Sequence, residues 1–428
     1  MNSVIDQTKG AGKAEALPQD GSCLLCGAGD LDVVLDLGET GLANNLPDGR
    51  ECAGEPAYPL RLARCRSCTH VQLADRVAPE LLYGHYLYVS SASSTLDEHL
   101  RSLAGAIAAR TGPGADGMGR SLDIGCNDGT LAAHMSRCGY QAHGIDPAAN
   151  LAPLSRARGV AVEVDYFGRE SARRLRSTVG AMRVLTATNS FPHIPDLNSY
   201  LEGAAELLEP GGVFVIEAHY VLDLVEQCAF DTIYHEHCHF WRLEPMMALF
   251  ARHGLEIFDC ERLPVHHGQL RVWAQRAGLR ARPVSGRVAA QCASERAAGL
   301  DRREVYDGLA RKAEALRRDL RKTLDDLRRR GWRLAGYGAP AKASTLAAWC
   351  GLGPDDLAWI ADRNPLKQGR FTPGTHIPIV GPERIESERP DCLLLFAWNF
   401  ADEIRAQLAS YREQGGRFLI PVPEVKLV

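Results

Sequence analysis

The sequence predicts an α/β protein of three units: a small N-terminal metal-binding unit, a central doubly wound unit, and a second doubly wound unit at the C-terminus. Three observations carry this. Paired cysteines stand as C-x-x-C at Cys23/Cys26 and again at Cys65/Cys68. A strand, a glycine turn, a helix and a strand ending in an acid follow one another in "RSLDIGCNDGTLAAHMSRCGYQAHGIDPAANLA", Arg120 to Ala152. The same succession returns in "RLAGYGAPAKASTLAAWCG" and "LAWIADRN", which ends at Asn364. A strand–glycine–helix–strand unit closing on a carboxylate is the mark of Rossmann-like nucleotide folds.

Bulk properties set the limits. The chain has 428 residues, 45% hydrophobic and 24% charged, enough for separate cores in two or three domains. A net charge of -4 and a pI near 6.4 leave no electrostatic drive toward nucleic acid or an anionic membrane. No apolar run is long enough to span a bilayer, and "MNSVIDQTKGAGKAEALPQDG" lacks the apolar core of a signal peptide, so a cytoplasmic protein is expected. The 13 cysteines are an odd number and mostly scattered, which suits reduced thiols.

Residues 1–20 are expected to be disordered, and the first unit to cover 21–80. Cys23, Cys26, Cys65 and Cys68 supply four thiolates, the closed tetrahedral set of a structural zinc site. The long interval between the two knuckles calls for a hairpin, and "DVVLDLG" and "AYPLRLARC" are its candidate strands. A closed site has no position for substrate, so this zinc is assigned to folding.

The central unit is expected over 81–285. Its loop is G-x-N-D-G rather than the dinucleotide G-x-G-x-x-G, and Asp-x-Gly-x-x-x-Gly is the common nucleotide loop of S-adenosylmethionine-dependent methyltransferases. Gly125 falls where backbone passes close to a ligand, and Asp146 where a carboxylate accepts ribose hydroxyls. Asp123, Asn127 and Asn189 complete the expected cofactor set. A charged helical connector over 286–330 has acids interleaved with its bases, the pattern of a solvated helix. In the third unit, 331–428, backbone amides near Gly338 and the Lys342 ammonium are placed to hold a diphosphate at a helix N-terminus. Lys367, Arg370 and His376 lie in a loop that can cover the same ligand.

"IYHEHCHFW", Ile233 to Trp241, concentrates ionisable groups and satisfies the H-E-x-x-H template of zinc peptidases at His235 and His239. That template needs a helix, and this stretch is rich in aromatic and β-branched residues that disfavour one, so the peptidase reading is set aside. Extended backbone would put Tyr234 and Glu236 on one face and the histidines on the other, whereas a helix would bring Tyr234 to His237. Local sequence leaves both open.

The zinc knuckles, "YLYVSSASST", "LDIGCNDGTL", "FDTIYHEHCHFW", "GLEIFDCERLPVHHGQLRV" and "GYGAPAKASTL...DRNPLKQGRFTPGTHIPI" occur in one order. Together they resemble the deoxysugar C-methyltransferases over nearly the whole chain, from Ser22 to Val428. The resemblance implies a zinc domain, a central S-adenosylmethionine domain and a C-terminal Rossmann-like domain. A nucleotide-linked 4-keto-6-deoxysugar, with dTDP as the expected carrier, would lie between the last two, in the making of deoxysugars for natural products such as antibiotics. A monomer or weak homodimer is expected. By the same resemblance the active-site residues fall on Tyr88, His193, Tyr234, Glu236 and His237. Methylating carbon requires a base beside a ketone and support for the enolate oxygen. His237 is the expected base, Tyr234 its rival, and His193 with Glu236 would position substrate or steady the enolate. One departure stands out: the usual H-G-G-S-L-R reads "HHGQLR", so His267 and Gln269 put bulk into an expected pocket wall. His239 and Trp241 likewise stand where smaller or different aromatic groups are expected. The alternatives are an O- or N-methylating enzyme of the same fold, a non-sugar ketone as substrate, or a binding protein without turnover.

Overall fold

The computed structural model describes residues 21–49, 54–83, 86, 89–113, 119–265, 268–279 and 281–428. The expectations for residues 1–20, for Tyr88 and for His267 fall outside these.

The first unit is the hairpin that the cysteine spacing requires. Strands β1 (Leu31–Thr40) and β2 (Tyr58–Cys65) pair antiparallel between the two knuckles, and β3 (Val71–Leu73) adds to β2.

The central unit is a seven-stranded sheet. Its first strands are β4 (Arg120–Ile124), β5 (Gln141–Ile145), β6 (Ala161–Glu163), β7 (Met182–Thr188) and β8 (Leu208–His219). These five are mutually parallel, and β4, β7 and β8 at the centre of the sheet are buried along most of their length, whereas β6 at the edge is not. The chain then forms a short strand, β9 (His239–Phe240), that leaves this sheet and pairs antiparallel with β3 of the zinc unit. It returns as β10 (Leu255–Leu263) and β11 (Gln269–Arg276), which close the sheet antiparallel in the order β10-β11-β8-β7-β4-β5-β6. The direction of winding reverses between β4 and β7, so a crevice opens beyond their C-terminal ends. The helix Ser94–Thr111 roofs that crevice. Ser93 caps it by accepting from the Leu96 amide at 3.3 Å, and Ser93, Leu96 and Leu100 face the cavity.

The helix Arg303–Arg329 carries Tyr306, Leu309, Ala313, Leu316, Leu320, Leu324 and Leu327 on one buried stripe at three- and four-residue spacing. Charges occupy the rest of its surface, so the expectation of a solvated connector holds for that face only. Beyond it the third sheet comprises β12 (Leu334–Tyr337), β13 (Ile360–Ala361), β14 (Ile379–Val380), β15 (Cys392–Leu395), β16 (Arg417–Ile420) and β17 (Lys426–Leu427). Their order is β14-β13-β12-β15-β16-β17, with only β17 antiparallel. Here the winding reverses between β12 and β15. Among the described residues no helix is long and apolar enough to cross a membrane.

Candidate active site

The two switch points face one another across a cavity of about 630 Å³. Asp123, Gly125, Asn127, Asp146 and Asn189 line one side, Gly338, Lys342 and Lys367 the other, and His193, Tyr234 and His237 the stretch between.

The cofactor side follows from backbone constraints. Gly125 sits at φ +74°, and a Cβ there would lie 2.4 Å from the Ser190 Cβ, so only glycine lets the turn after β4 pass the turn after β7. Asn127 is also left-handed, at φ +53°. Its amide donates to the Asp146 carboxylate at 2.8 Å, and the Ala148 amide donates to the other Asp146 oxygen at 2.8 Å. Each oxygen keeps a lone pair for a hydroxyl. Asp123 is buried and accepts from the Thr186 hydroxyl at 2.8 Å; burial pushes its carboxyl up to about 7. Asn189 accepts a hydrogen bond from Gln269, which is fully buried in β11. The expectation that Gln269 narrows the pocket is therefore corrected: it stands behind Asn189, outside the cavity lining.

The choice between helix and extended backbone is resolved as neither. Tyr234 to His237 form a tight turn, with the His237 amide donating to the Tyr234 carbonyl at 2.9 Å. The turn brings the Tyr234 ring against His237, centroids 3.9 Å apart and planes tilted by 36°. His237 Nδ1 lies 2.8 Å from the Thr232 carbonyl. A carbonyl oxygen only accepts, so Nδ1 carries the proton and Nε2 keeps its lone pair. Burial, then the neighbouring His193, holds the proton affinity of His237 well below the ordinary histidine value. His193 stands 5.1 Å from His237, ring to ring, with its Nδ1 3.1 Å from the Tyr83 hydroxyl. Burial lowers its pKa to about 3.

Glu236 does not reach the cavity wall. Its carboxylate accepts from the Asn44 amide at 2.6 Å and the Tyr86 hydroxyl at 3.2 Å, and both of those residues line the cavity. Burial pushes this carboxyl up to about 7. His235 and His239 diverge, toward the Pro59 carbonyl at 3.1 Å and the Ile194 carbonyl at 2.8 Å, so they form no metal pair.

On the opposite side Gly338 sits at φ +80°, where a Cβ would meet that of Ala397 at 2.9 Å. Lys342 donates to the Asn399 side chain at 2.8 Å and stands 4.0 Å over the Trp398 ring; burial lowers its pKa to about 7. Lys367 is buried and donates to the Ala339 carbonyl at 2.7 Å. Arg370 and His376 are not brought to the cavity. Arg370 donates to the Leu46 carbonyl at 3.0 Å and pairs with Asp48 at 3.1 Å, and His376 meets Glu55 at 3.0 Å. Both clasp the third unit to the first.

The sequence reading missed His219, Tyr83, Tyr86, Asn44 and Asn399 among the lining residues. His219 ends β8 and its ring lies 4.3 Å from His237; the rule that ligands gather at C-terminal strand ends could have found it. Asn44 comes from the zinc unit and carries no local signal. Tyr83 and Tyr86 belong to the same linker as Tyr88.

The four cysteine sulfurs lie within 4.8 Å of one another, the one group of this kind among the described residues. Cys23–Cys68 and Cys26–Cys65 are each 3.6 Å apart, against an edge of roughly 3.8 Å for a tetrahedron with Zn–S bonds near 2.3 Å. The set fits a structural zinc ion with no open position.

Residues 23–83 match a zinc binding domain family, 96–259 a methyltransferase domain family and 264–423 the C-methyltransferase C-terminal domain family. The chain is 36% identical over 409 residues to the C-methyltransferase NovU of Streptomyces niveus, covering 95% of this chain and 96% of that protein. A ubiquinone biosynthesis O-methyltransferase of Bordetella avium is 28% identical over 176 residues, 37% of this chain and 67% of that protein. The geranyl diphosphate C-methyltransferase of Streptomyces coelicolor A3(2) aligns with a TM-score of 0.32 and 13% identity, over 43% of this chain and 83% of that one, a level that carries no inference about ligands. With a full-length relative, matched domain families in all three units and a cofactor crevice of the matching kind, the chain belongs to the S-adenosylmethionine-dependent C-methyltransferases that carry an N-terminal structural zinc.

Proposed function

We propose that this enzyme methylates the carbon next to the ketone of a nucleotide-linked 4-keto-6-deoxysugar, with dTDP as the expected carrier, after base-catalysed enolisation. The observation that supports this best is His237. Its Nδ1 proton is committed to the Thr232 carbonyl, so Nε2 presents a lone pair to a cavity framed by two nucleotide-type switch points.

Asp123, Gly125, Asn127 and Asp146 would hold S-adenosylmethionine, with Asn189 at the edge. When bound, it supplies an electrophilic methyl group on a sulfonium and leaves as a thioether. His237 Nε2 takes the proton from the substrate carbon, and the C–H electron pair moves into a C=C bond as the carbonyl oxygen takes up negative charge. Imidazole and phenol donors around that oxygen stabilise the charge, and His219 and Tyr234 line the cavity there. The Tyr83 hydroxyl donates to the Glu236 carbonyl at 3.2 Å, so His193 Nδ1 donates to Tyr83 and its Nε2 is left as an acceptor to position a substrate hydroxyl. Tyr234 packs against the base at a 36° tilt, and the Thr232 carbonyl fixes the imidazole through Nδ1. Glu236 acts at one remove, orienting Asn44 and Tyr86. The substrate diphosphate would lie on the Gly338 turn beside Lys342 and Lys367, and its charge offsets the burial of both ammonium groups.

A panel of nucleotide-linked keto-sugars incubated with labelled donor and read by mass spectrometry tests this reading. The expected result is one added methyl group on carbon, for a 4-keto-6-deoxysugar. Label on oxygen or nitrogen, or turnover of a non-sugar ketone alone, would replace it.

A further inference from the structure

We infer that His70 and His239 form a hydrogen-bond relay that positions His193, making the exit of the second zinc knuckle part of the active-site scaffold. This rests on the reading of His193 as a substrate-facing group.

The relay has one consistent proton arrangement. His239 Nε2 lies 2.8 Å from the Ile194 carbonyl, which can only accept, so Nε2 carries the proton. His239 Nδ1 is then an acceptor, and it lies 2.9 Å from His70 Nε2, which must donate. The remaining His70 nitrogen, Nδ1, is buried with no hydrogen-bond partner among the described residues. The direction therefore runs from His70 through His239 to Ile194, the residue after His193.

Packing reinforces the same turn. Phe191 stacks on Trp241 at 4.7 Å and 21°, and Trp241 lies 4.9 Å from His70 and 5.1 Å from His239. The turn Phe191–His193 is thus held at both ends by one cluster of buried rings. Neither His239 nor Trp241 lines the cavity, so the two departures from the family pattern are supports of the site, not its walls. The other end of the relay is anchored to the metal site. His70 follows Cys68 by two positions, and Gln72 of β3 accepts from the Leu24 amide at 2.8 Å, next to Cys23. Arg242 donates to the Thr69 hydroxyl at 2.6 Å, tying the knuckle to the segment after β9.

Without the His70 N–H, the His239 Nδ1 is a buried acceptor with no donor, and only the Ile194 carbonyl still holds the proton on Nε2. The other tautomer turns a lone pair toward the Ile194 carbonyl, and the turn bearing His193 moves.

The test compares His70→Phe with His70→Gln, whose side-chain amide retains an N–H at the position of Nε2. For each, kcat and KM with a dTDP-linked 4-keto-6-deoxyhexose are measured beside zinc content and calorimetric affinity for S-adenosylhomocysteine. His70→Phe is expected to keep zinc, bind S-adenosylhomocysteine within about threefold of the parent and lose about ten- to a hundredfold in kcat, the effect of misplacing a catalytic group. His70→Gln should stay within about threefold of the parent. Parent-like kcat in His70→Phe, or equal loss in both variants, overturns the relay. If His70→Phe does not fold, His239→Gln, which reaches the Ile194 carbonyl, should outperform His239→Asn, which does not; equality overturns the proposal. His193→Asn separates the two readings. An unchanged kcat there removes the role of His193 itself, whereas an impaired His193→Asn beside a parent-like His70→Phe removes the relay alone.

Discussion

Replacing His237 by asparagine separates its two nitrogens. An asparagine amide places an N–H where Nδ1 stands, so donation to the Thr232 carbonyl, 2.8 Å in the parent, is retained, and nothing remains at Nε2. The fold loses ring contacts to Tyr234 at 3.9 Å and His219 at 4.3 Å, together about 1–3 kcal/mol. A chain of this size with well-formed cores is expected to stay folded. Loss of a general base lowers rate by about 10²–10⁴, or about 3–5 kcal/mol of barrier. The assay is wash-in of solvent deuterium at the substrate carbon without donor, read by mass spectrometry, beside methyl transfer with donor. Both should fall together by at least a hundredfold while S-adenosylhomocysteine affinity is unchanged. The pH profile adds a sign. Because burial holds the proton affinity of His237 well below the ordinary value, its lone pair is available throughout the neutral range, and the loss of rate from its protonation falls on the acid side of pH 6.5. Deuterium wash-in by His237→Asn within threefold of the parent would refute the reasoning and leave Tyr234 as the base.

The other expectations follow from single contacts. The Glu236 carboxyl has a folded pKa raised from 4.5 to about 7, so the stability it contributes is fully present below pH 4.5 and lost as pH rises through about 7. Glu236→Gln should therefore gain on the parent with rising pH, by about 3 kcal/mol at pH 8 and nothing at pH 4, in denaturant titrations; a pH-independent difference would contradict the burial argument. Cys23→Ser should abolish the one zinc per chain, and chelation of the parent should lower its thermal midpoint, both read by metal analysis and calorimetry. Gly125→Ala combines φ +74° with a Cβ 2.4 Å from that of Ser190, so S-adenosylhomocysteine affinity should fall by at least tenfold by calorimetry. Because Lys342 is held near 7, binding of a nucleoside diphosphate at pH 8 should take up a proton, seen as a dependence of the binding enthalpy on the buffer; Lys342→Met should remove it.

Much of the architecture is legible in order along the chain because its signals are local. Two cysteines in C-x-x-C present their sulfurs to one ion whatever surrounds them, and the hairpin between the knuckles follows from the length of the interval. A glycine that must pass another turn, and an acid at the next strand end, mark Gly125 with Asp146 and Gly338 with Asp362 in the same way. In both units the acid accepts from the glycine turn and from the amide two residues on: Asp146 from Asn127 and Ala148, Asp362 from Ala339 and Asn364. His237, Tyr234 and His193 were identified through the resemblance to the deoxysugar enzymes, and the structure brings all three to one cavity.

What tertiary structure decided was the direction of side chains whose partners are distant in sequence. Glu236 looked like a substrate contact until Asn44, 192 residues away, claimed one of its oxygens. Lys367, Arg370 and His376 share one loop and one charge pattern, yet only Lys367 points inward. The left-handed backbone at His376, φ +53°, and the Asp48 and Glu55 carboxylates of the zinc unit draw the other two outward. Sequence alone determined the α/β class, the zinc unit and its four cysteine ligands, because those depend on spacing within a few residues. Which ionisable groups meet, and with which proton on which nitrogen, was settled only when the second and third units closed on each other, because burial and hydrogen-bond partners across that crevice belong to no single segment.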